Sequence, residues 1–342
     1  MEWESRLSRI AITLIKVVVP AVLFGYLLLQ VPKSDYDLFW GQSKRWELLV
    51  SAQVVALAAI IFSFLRWRHL VLAFGIPFER SEALRLGFLG YLLNFVSFGS
   101  VGGDLFKAIL VAKGKPGWRT EAVASVLLDR AIGLLGLVIL AWLSLVFSQI
   151  SELPTILVGI RRGAGVLACV SILALVVAVF SGSWLEKWID WMETLPLAGQ
   201  SLARMARAVR RLRTQPLVLI NLLVTAILIH ALLASSVFLI SAGVYPAYPS
   251  FVEHLMVVPP AMAAGALPLA PGGIGYQEGA LAGLFRLLPD LPVGFSGILV
   301  ATIYRLITLF VAGIGLFFYW LSHGREFKLV NELSQNEDSR SN

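Results

Sequence analysis

Apolar residues fill this chain in long runs separated by short polar breaks. Runs of about 20 apolar residues, the length that crosses a hydrocarbon core, cover 11–31, 46–65, 120–147, 163–181, 217–243 and 296–321. Each is expected to form a membrane-spanning helix. The first is expected to be a retained anchor rather than a signal peptide, because Lys16 interrupts it and its exit at 30–33 lacks small residues for cleavage. Two further apolar stretches carry helix breakers in their middle. The stretch 84–113 is interrupted by Phe98-Gly99-Ser100-Val101-Gly102-Gly103-Asp104, and 251–288 by Pro268-Leu269-Ala270-Pro271-Gly272-Gly273-Ile274-Gly275. Irregular backbone at membrane depth survives only where protein or a wet cavity satisfies its polar groups. Both stretches therefore predict broken helices or re-entrant hairpins. The expected fold is all-α, a polytopic integral membrane protein with about six full spans and two broken hairpins.

Composition agrees. Hydrophobic residues make up 58% and charged residues 14% of the 342, against about 25% charged in a soluble domain. Mean hydropathy is +0.81. This excludes a secreted disulfide scaffold, a nucleic-acid-binding module and a cytosolic enzyme. Cys169 is the single cysteine, and His69, His230, His254 and His323 are scattered. No metal and no cofactor are expected. The net charge of +7 fits the positive-inside rule. With a cytoplasmic N-terminus and both broken stretches returning to their side of entry, cytoplasmic segments carry 17 Lys and Arg, Arg66 and Arg68 among them. Outer segments carry six, including Arg161 and Arg162. Nucleic acid is not an expected partner. Both termini are expected in the cytoplasm, with the protein in the inner membrane.

The polar insertion at 184–213 begins with Trp184, Trp188 and Trp191 and continues into an arginine-rich run from Arg204 to Arg213. It predicts an interfacial helix or helical hairpin that meets anionic lipid headgroups; the alternative is a basic connector that only sets topology. The tail 322–342 is polar and expected to be disordered.

Within the membrane domain at 1–321, the parts 84–147 and 251–321 resemble each other. In each, a Gly-Gly pair (Gly102-Gly103, Gly272-Gly273) precedes a carboxylate (Asp104, Glu278), and a long span with an inner arginine follows (Arg130, Arg305). The topology makes them an inverted repeat, a pointer to a transport site at the meeting breaks. A charge at the centre of a membrane helix costs on the order of 2.5–3.5 kcal/mol. Asp104, Lys107, Asp129, Arg130, Glu278 and Arg305 must therefore pair or line a wet cavity. In one reading the arginines clamp a phosphate with help from N–H groups at the helix starts. In the other, Asp104–Arg130 and Glu278–Arg305 are permanent pairs that pin the broken helices. Asn94 either caps a broken helix or binds substrate. Pro259, Pro260, Pro268 and Pro271 are expected to shape hinges.

The stretches Asn94…Gly102-Gly103-Asp104…Lys107, Asp129-Arg130…Gly133 and Pro271-Gly272-Gly273-Ile274-Gly275…Glu278 make the chain resemble the lysylphosphatidylglycerol synthase transmembrane-region family, the flippase-like domain. The resemblance runs from about Leu7 to His323. It implies about eight hydrophobic elements. In bifunctional members this domain precedes an aminoacyl-transferase and moves the aminoacylated lipid to the outer leaflet. Related domains accompany enzymes of polyprenyl-linked sugar metabolism. Only a short tail follows the last span here, so lysylphosphatidylglycerol synthesis is not expected.

The expected function is therefore a non-enzymatic, flippase-like transporter for an anionic or zwitterionic lipid: a phospholipid, an aminoacyl-phospholipid or a polyprenyl-phosphate lipid. The competing readings are a membrane-embedded lipid-phosphate transferase, a channel, and an accessory subunit of lipid-linked glycan synthesis, with a lipid- or glycan-synthesis enzyme as partner. No nucleotide-binding loop is present, so transport would be passive or ion-coupled.

Overall fold

The structure, a computed structural model, describes residues 31–41, 43–96, 102–115, 117–148, 152–180, 182–194, 199–267 and 270–321, with Gly25, Leu28, Leu29 and Ile150. Most of the predicted first span, Pro268 and the tail 322–342 lie outside the described residues. Twelve α-helices and no strand occur among those described. They are α1 (Lys33–Gly41), α2 (Trp46–Ala73), α3 (Arg80–Val96), α4 (Gly102–Gly114), α5 (Arg119–Val146), α6 (Thr155–Phe180), α7 (Ser183–Glu193), α8 (Gly199–Arg211), α9 (Pro216–Val244), α10 (Phe251–Ala266), α11 (Tyr276–Phe285) and α12 (Gly297–Leu321).

Helices α2, α5, α6, α9 and α12 are long and apolar enough to cross a membrane. They coincide with five of the six predicted spans. Their outer faces carry large exposed apolar side chains, such as Val166, Val170 and Leu173 on α6 and Ile220, Val224 and Leu228 on α9. Water does not tolerate such a surface, and lipid does. The protein is an integral membrane protein.

Two boundaries move. Helix α2 continues eight residues past the predicted end of its span, and α6 begins eight residues before its predicted start. At 1.5 Å per residue a 28-residue helix is about 42 Å long, well over the apolar core. Hydrophobicity marks the lipid-covered part of a helix, and the polar turns beyond it continue the same hydrogen-bond ladder. Arg161 and Arg162 therefore belong to α6. Arg66, expected as a cytoplasmic topology charge, lies inside α2 and is buried.

Both broken stretches turn back on themselves as hairpins. In the first, α3 packs against α4. Gly90 faces Gly103 so closely that a Cβ on Gly103 would run into the Gly90 carbonyl oxygen. In the second, α10 packs against α11, and a Cβ on Gly273 would meet the Gly265 backbone. The second turn is a 3₁₀ turn at Pro271–Gly273. Gly272, Gly273 and Gly275 have φ of 59°, 68° and 88°, a region open to glycine without strain. Pro259 and Pro260 sit inside α10. The second turn meets the end of α3, where Gly272 abuts the Phe95 ring.

Each hairpin has its own apolar core. The first joins α2 to α5 through Trp67, Leu70, Leu89, Phe106 and Ile132. The second joins α9 to α12 through Ile240, Met256, Phe285 and Val300. Helices α2 and α9 run between them and pack on small residues, Ala52, Ala56 and Ala234, with Ser236 Oγ donating to the Ala52 carbonyl at 2.9 Å. Small side chains let helices approach closely where lipid supplies no hydrophobic drive.

Candidate functional site

The first hairpin places charge at the start of α4. Asn94 on α3 accepts a hydrogen bond from the Gly103 N–H at 3.1 Å, so it caps the restarted helix. Asp104 then faces two cations. Lys107, one turn on, reaches it at 2.8 Å, and Arg130 of α5 donates to its other oxygen. Lys107 Nζ also lies 5.1 Å from the centre of the Trp67 ring.

The neighbouring residue on α5 turns the opposite way. Asp129 accepts from Arg66 Nε at 3.0 Å and from Arg66 Nη2 at 3.2 Å, and Nη2 also reaches the Asp129 carbonyl. The span α5 is thus tied to α4 by Arg130 and to α2 by Asp129. Helix α9 joins through His230, whose Nε2–H donates to the Gly133 carbonyl at 3.0 Å.

The second hairpin repeats the pairing. Glu278 is the third residue of α11, as Asp104 is of α4. One carboxylate oxygen accepts the Gly275 N–H at 2.7 Å, and the other accepts Arg305 Nε. The remaining guanidinium groups go to the Gly272 carbonyl at 2.9 Å and Gln277 Oε1 at 3.3 Å. Both side chains are sealed, at 3% and 2% exposure. Pro271, Gly272, Gly273 and Gly275 build the turn that this arginine holds.

Between the hairpins lies a cavity of about 290 Å³. Arg66, Asp104, Asp129 and Arg130 form its charged side, and Tyr91, Tyr304 and His230 add polar groups. Leu134, Leu137, Ile229, Leu233 and Met262 line the rest. Among the paired charges around this cavity, Arg130 is the most open at 29%. It stands 11 residues into α5, about 17 Å from the helix start.

Of the residues singled out in the sequence, the cavity therefore gathers Asp104, Asp129 and Arg130. Asn94, Gly102, Gly103 and Lys107 stand behind them. Glu278, Arg305 and the second turn do not line it. The sequence reading missed Arg66, Tyr91, His230 and Tyr304. His230 was findable, since a lone ionisable residue mid-span is a site candidate by default. Arg66 was hidden by its place at the end of the apolar run.

The insertion forms a helical pair, with α8 also packed on α5 and α6. On α7, Trp184, Trp188 and Trp191 line one exposed face, the first two rings tilted and the last two edge-to-face, with centres 5.7 and 5.6 Å apart. Glu186, Asp190 and Glu193 fall on other positions of the helix and take up the arginines. Arg207 pairs with Asp190 and Glu193, and Arg210 with Glu186 at 2.9 Å. Arg211 reaches Glu121 of α5 at 3.5 Å. Arg204 and Arg213 are exposed.

No group of three or more metal-ligating side chains occurs among the described residues. No curated protein and no solved structure matches the chain. The family described as lysylphosphatidylglycerol synthase TM region matches residues 10–327, nearly the whole length. The chain belongs to that family.

Proposed function

We propose that this protein is a non-enzymatic, flippase-like lipid transporter of the inner membrane, with both termini cytoplasmic. It passes the headgroup of a phospholipid, an aminoacyl-phospholipid or a polyprenyl-phosphate lipid between leaflets. One observation carries the reading: a cavity between two membrane hairpins has salt-bridged charges on one side and aliphatic side chains on the rest. That division matches a lipid, with a polar head among the charges and acyl chains along the apolar wall. Paired arginines can exchange a carboxylate for a phosphate oxygen at little cost, because both are bidentate acceptors. The two hairpins act as halves of an inverted repeat that rock about the contact between Gly272 and the end of α3. Family membership supports the same reading.

The test is leaflet exchange of fluorescent lipids in liposomes holding the purified protein. Exchange by the native chain, lost in Arg130→Ala while the protein stays folded, is the expected result. No exchange of any lipid by folded protein would overturn the proposal.

The α7–α8 pair is assigned to the headgroup layer, with its tryptophans in the interface and the exposed Arg204 and Arg213 toward anionic lipid. Brominated lipid should quench its fluorescence, and Trp188→Ala should reduce that quenching.

A further inference from the structure

We infer that Lys107 is the standby counter-ion of Asp104, held in place by the Trp67 ring, and that it takes over the carboxylate when Arg130 turns to a lipid phosphate. The inference rests on the transport reading and assigns Lys107 and Trp67 to it as positioning residues, not as headgroup ligands.

Ligand exchange at this site poses a charge problem. Arg130 donates to one oxygen of Asp104, and both side chains line the cavity. An arginine can clamp a phosphate bidentately, but in turning to one it leaves its carboxylate behind. A carboxylate without a partner is costly at this depth. Lys107 Nζ already lies 2.8 Å from the other oxygen of Asp104, so the carboxylate keeps a cation throughout the exchange. Lysine suits that part. Its ammonium is a compact point charge without the planar fork that grips a phosphate.

The surroundings hold Lys107 back from the cavity. It does not line that space, and its side chain is 15% exposed. Its aliphatic stem crosses α3 at Gly90, where a Cβ would come within 3.1 Å of Lys107 Cγ and 3.2 Å of Cδ. Glycine leaves that path open. At the tip, Nζ lies 5.1 Å from the centre of the Trp67 ring. An ammonium is attracted to an aromatic face, and most of all to that of tryptophan. The ring is itself fixed. Trp67 is 1% exposed, and its Nε1–H donates to Ser125 Oγ of α5 at 3.3 Å. The Phe78 ring meets it edge-on at 5.1 Å. The ammonium thus sits beside a carboxylate and a rigid π face, within reach of Asp104 whether or not Arg130 is bonded there.

The test is leaflet exchange in liposomes, with chain-labelled phosphatidylglycerol and phosphatidylethanolamine as probes, read from neutral pH down to about pH 5, near the ordinary carboxylate range. Lys107→Gln removes the standby cation, and exchange at neutral pH should fall by on the order of tenfold. In acid a proton on Asp104 takes the place of the lysine, so the rate relative to the native chain should climb back. Arg130 and Asp129 of α5, Arg66 of α2, Tyr91 of α3, His230 of α9 and Tyr304 of α12 face the same cavity. They are common to both chains and drop out of the ratio. Lys107→Arg keeps the positive charge and should restore most of the lost rate. Trp67→Leu should slow exchange by a smaller factor, about threefold, with the same recovery in acid; it carries the test if Lys107→Gln does not fold. Native-like exchange by Lys107→Gln at neutral pH, or a loss that acid leaves unchanged, would overturn the inference and leave the transport reading standing. No exchange by the folded native chain would overturn both.

Discussion

The two hairpins are built from the same parts and use them differently. In each, a carboxylate stands at the third position of a restarted helix and meets an arginine from the following span, 26 residues on in the first hairpin and 27 in the second. The second pair is sealed, and its arginine is held on all sides by a carboxylate, a carbonyl and an amide. The first pair opens on a cavity, and its carboxylate has a second cation in Lys107. A fully enclosed pair has fixed partners, so it suits a pin. A pair that faces a cavity and has a spare partner can exchange ligands without leaving a bare charge. We therefore propose that the two readings of the intramembrane charges are divided between the hairpins.

The largest expected effect comes from breaking the pin. Arg305→Ala leaves Glu278 as an uncompensated buried charge, which costs about 3–5 kcal/mol. A large drop in the melting temperature of the detergent-solubilised protein is expected. Replacing both partners together, Glu278→Leu with Arg305→Met, should recover most of that loss. If the double variant exchanges lipid at the native rate once folded, the second pair is a pin and nothing more. If it is stable but inactive, the pair has a direct part in transport.

Arg130→Ala should behave in the opposite way. Asp104 keeps Lys107 at 2.8 Å, so no bare carboxylate remains. The stability cost should be about 1 kcal/mol, the scale of a partly exposed pair. Transport should nevertheless be lost. A melting temperature as depressed as that of Arg305→Ala would erase the difference between the hairpins.

Much of this was legible in the sequence, for reasons particular residues show. Gly-Gly pairs inside apolar stretches marked both turns, because helix breakers at membrane depth need a structural cause. The cost of charge marked Asp104, Asp129, Arg130, Glu278 and Arg305 as residues that must pair or line a wet cavity. Their partners were not all legible. Asp129 pairs with Arg66, 63 residues earlier, because α2 outlasts its apolar run; length beyond the lipid leaves no hydrophobic signal. Which pair would be sealed was also hidden. Both read as carboxylate and arginine after a glycine turn. Only the packing decides: Phe95, Gln277 and the Gly272 carbonyl enclose Arg305, whereas Arg130 lines the cavity.

A smaller effect tests the cap of the first hairpin. Asn94→Ala removes the acceptor for the Gly103 N–H and should cost about 1 kcal/mol, the usual value of a lost N-cap. Transport should slow only modestly, because Asp104 keeps both cations. Hydrogen exchange at the first turn of α4 would report the loss directly. Abolished transport with an intact fold would instead make Asn94 a headgroup ligand.

The smallest expected effect lies outside the membrane, where the α7–α8 pair offers a contrast with both buried pairs. Arg207 bonds Glu193 and, by its charge, holds that carboxyl below its usual range. A carboxylate whose folded value is depressed stabilises above its unfolded value and loses that contribution as pH falls through the folded one. The pairing of α7 with α8 should therefore be intact at neutral pH and loosen only in acid, below the ordinary Glu range. Because both side chains are in solvent, salt should weaken it as well. Hydrogen exchange over 183–211 should rise at acid pH in the native chain, and Arg207→Gln should show that raised exchange already at neutral pH. The pins inside the membrane are shielded from both salt and solvent, so α11 should not respond to either change. A parallel response in α11 would mean that solvent reaches the second hairpin, and the sealed pair would then belong to the transport path.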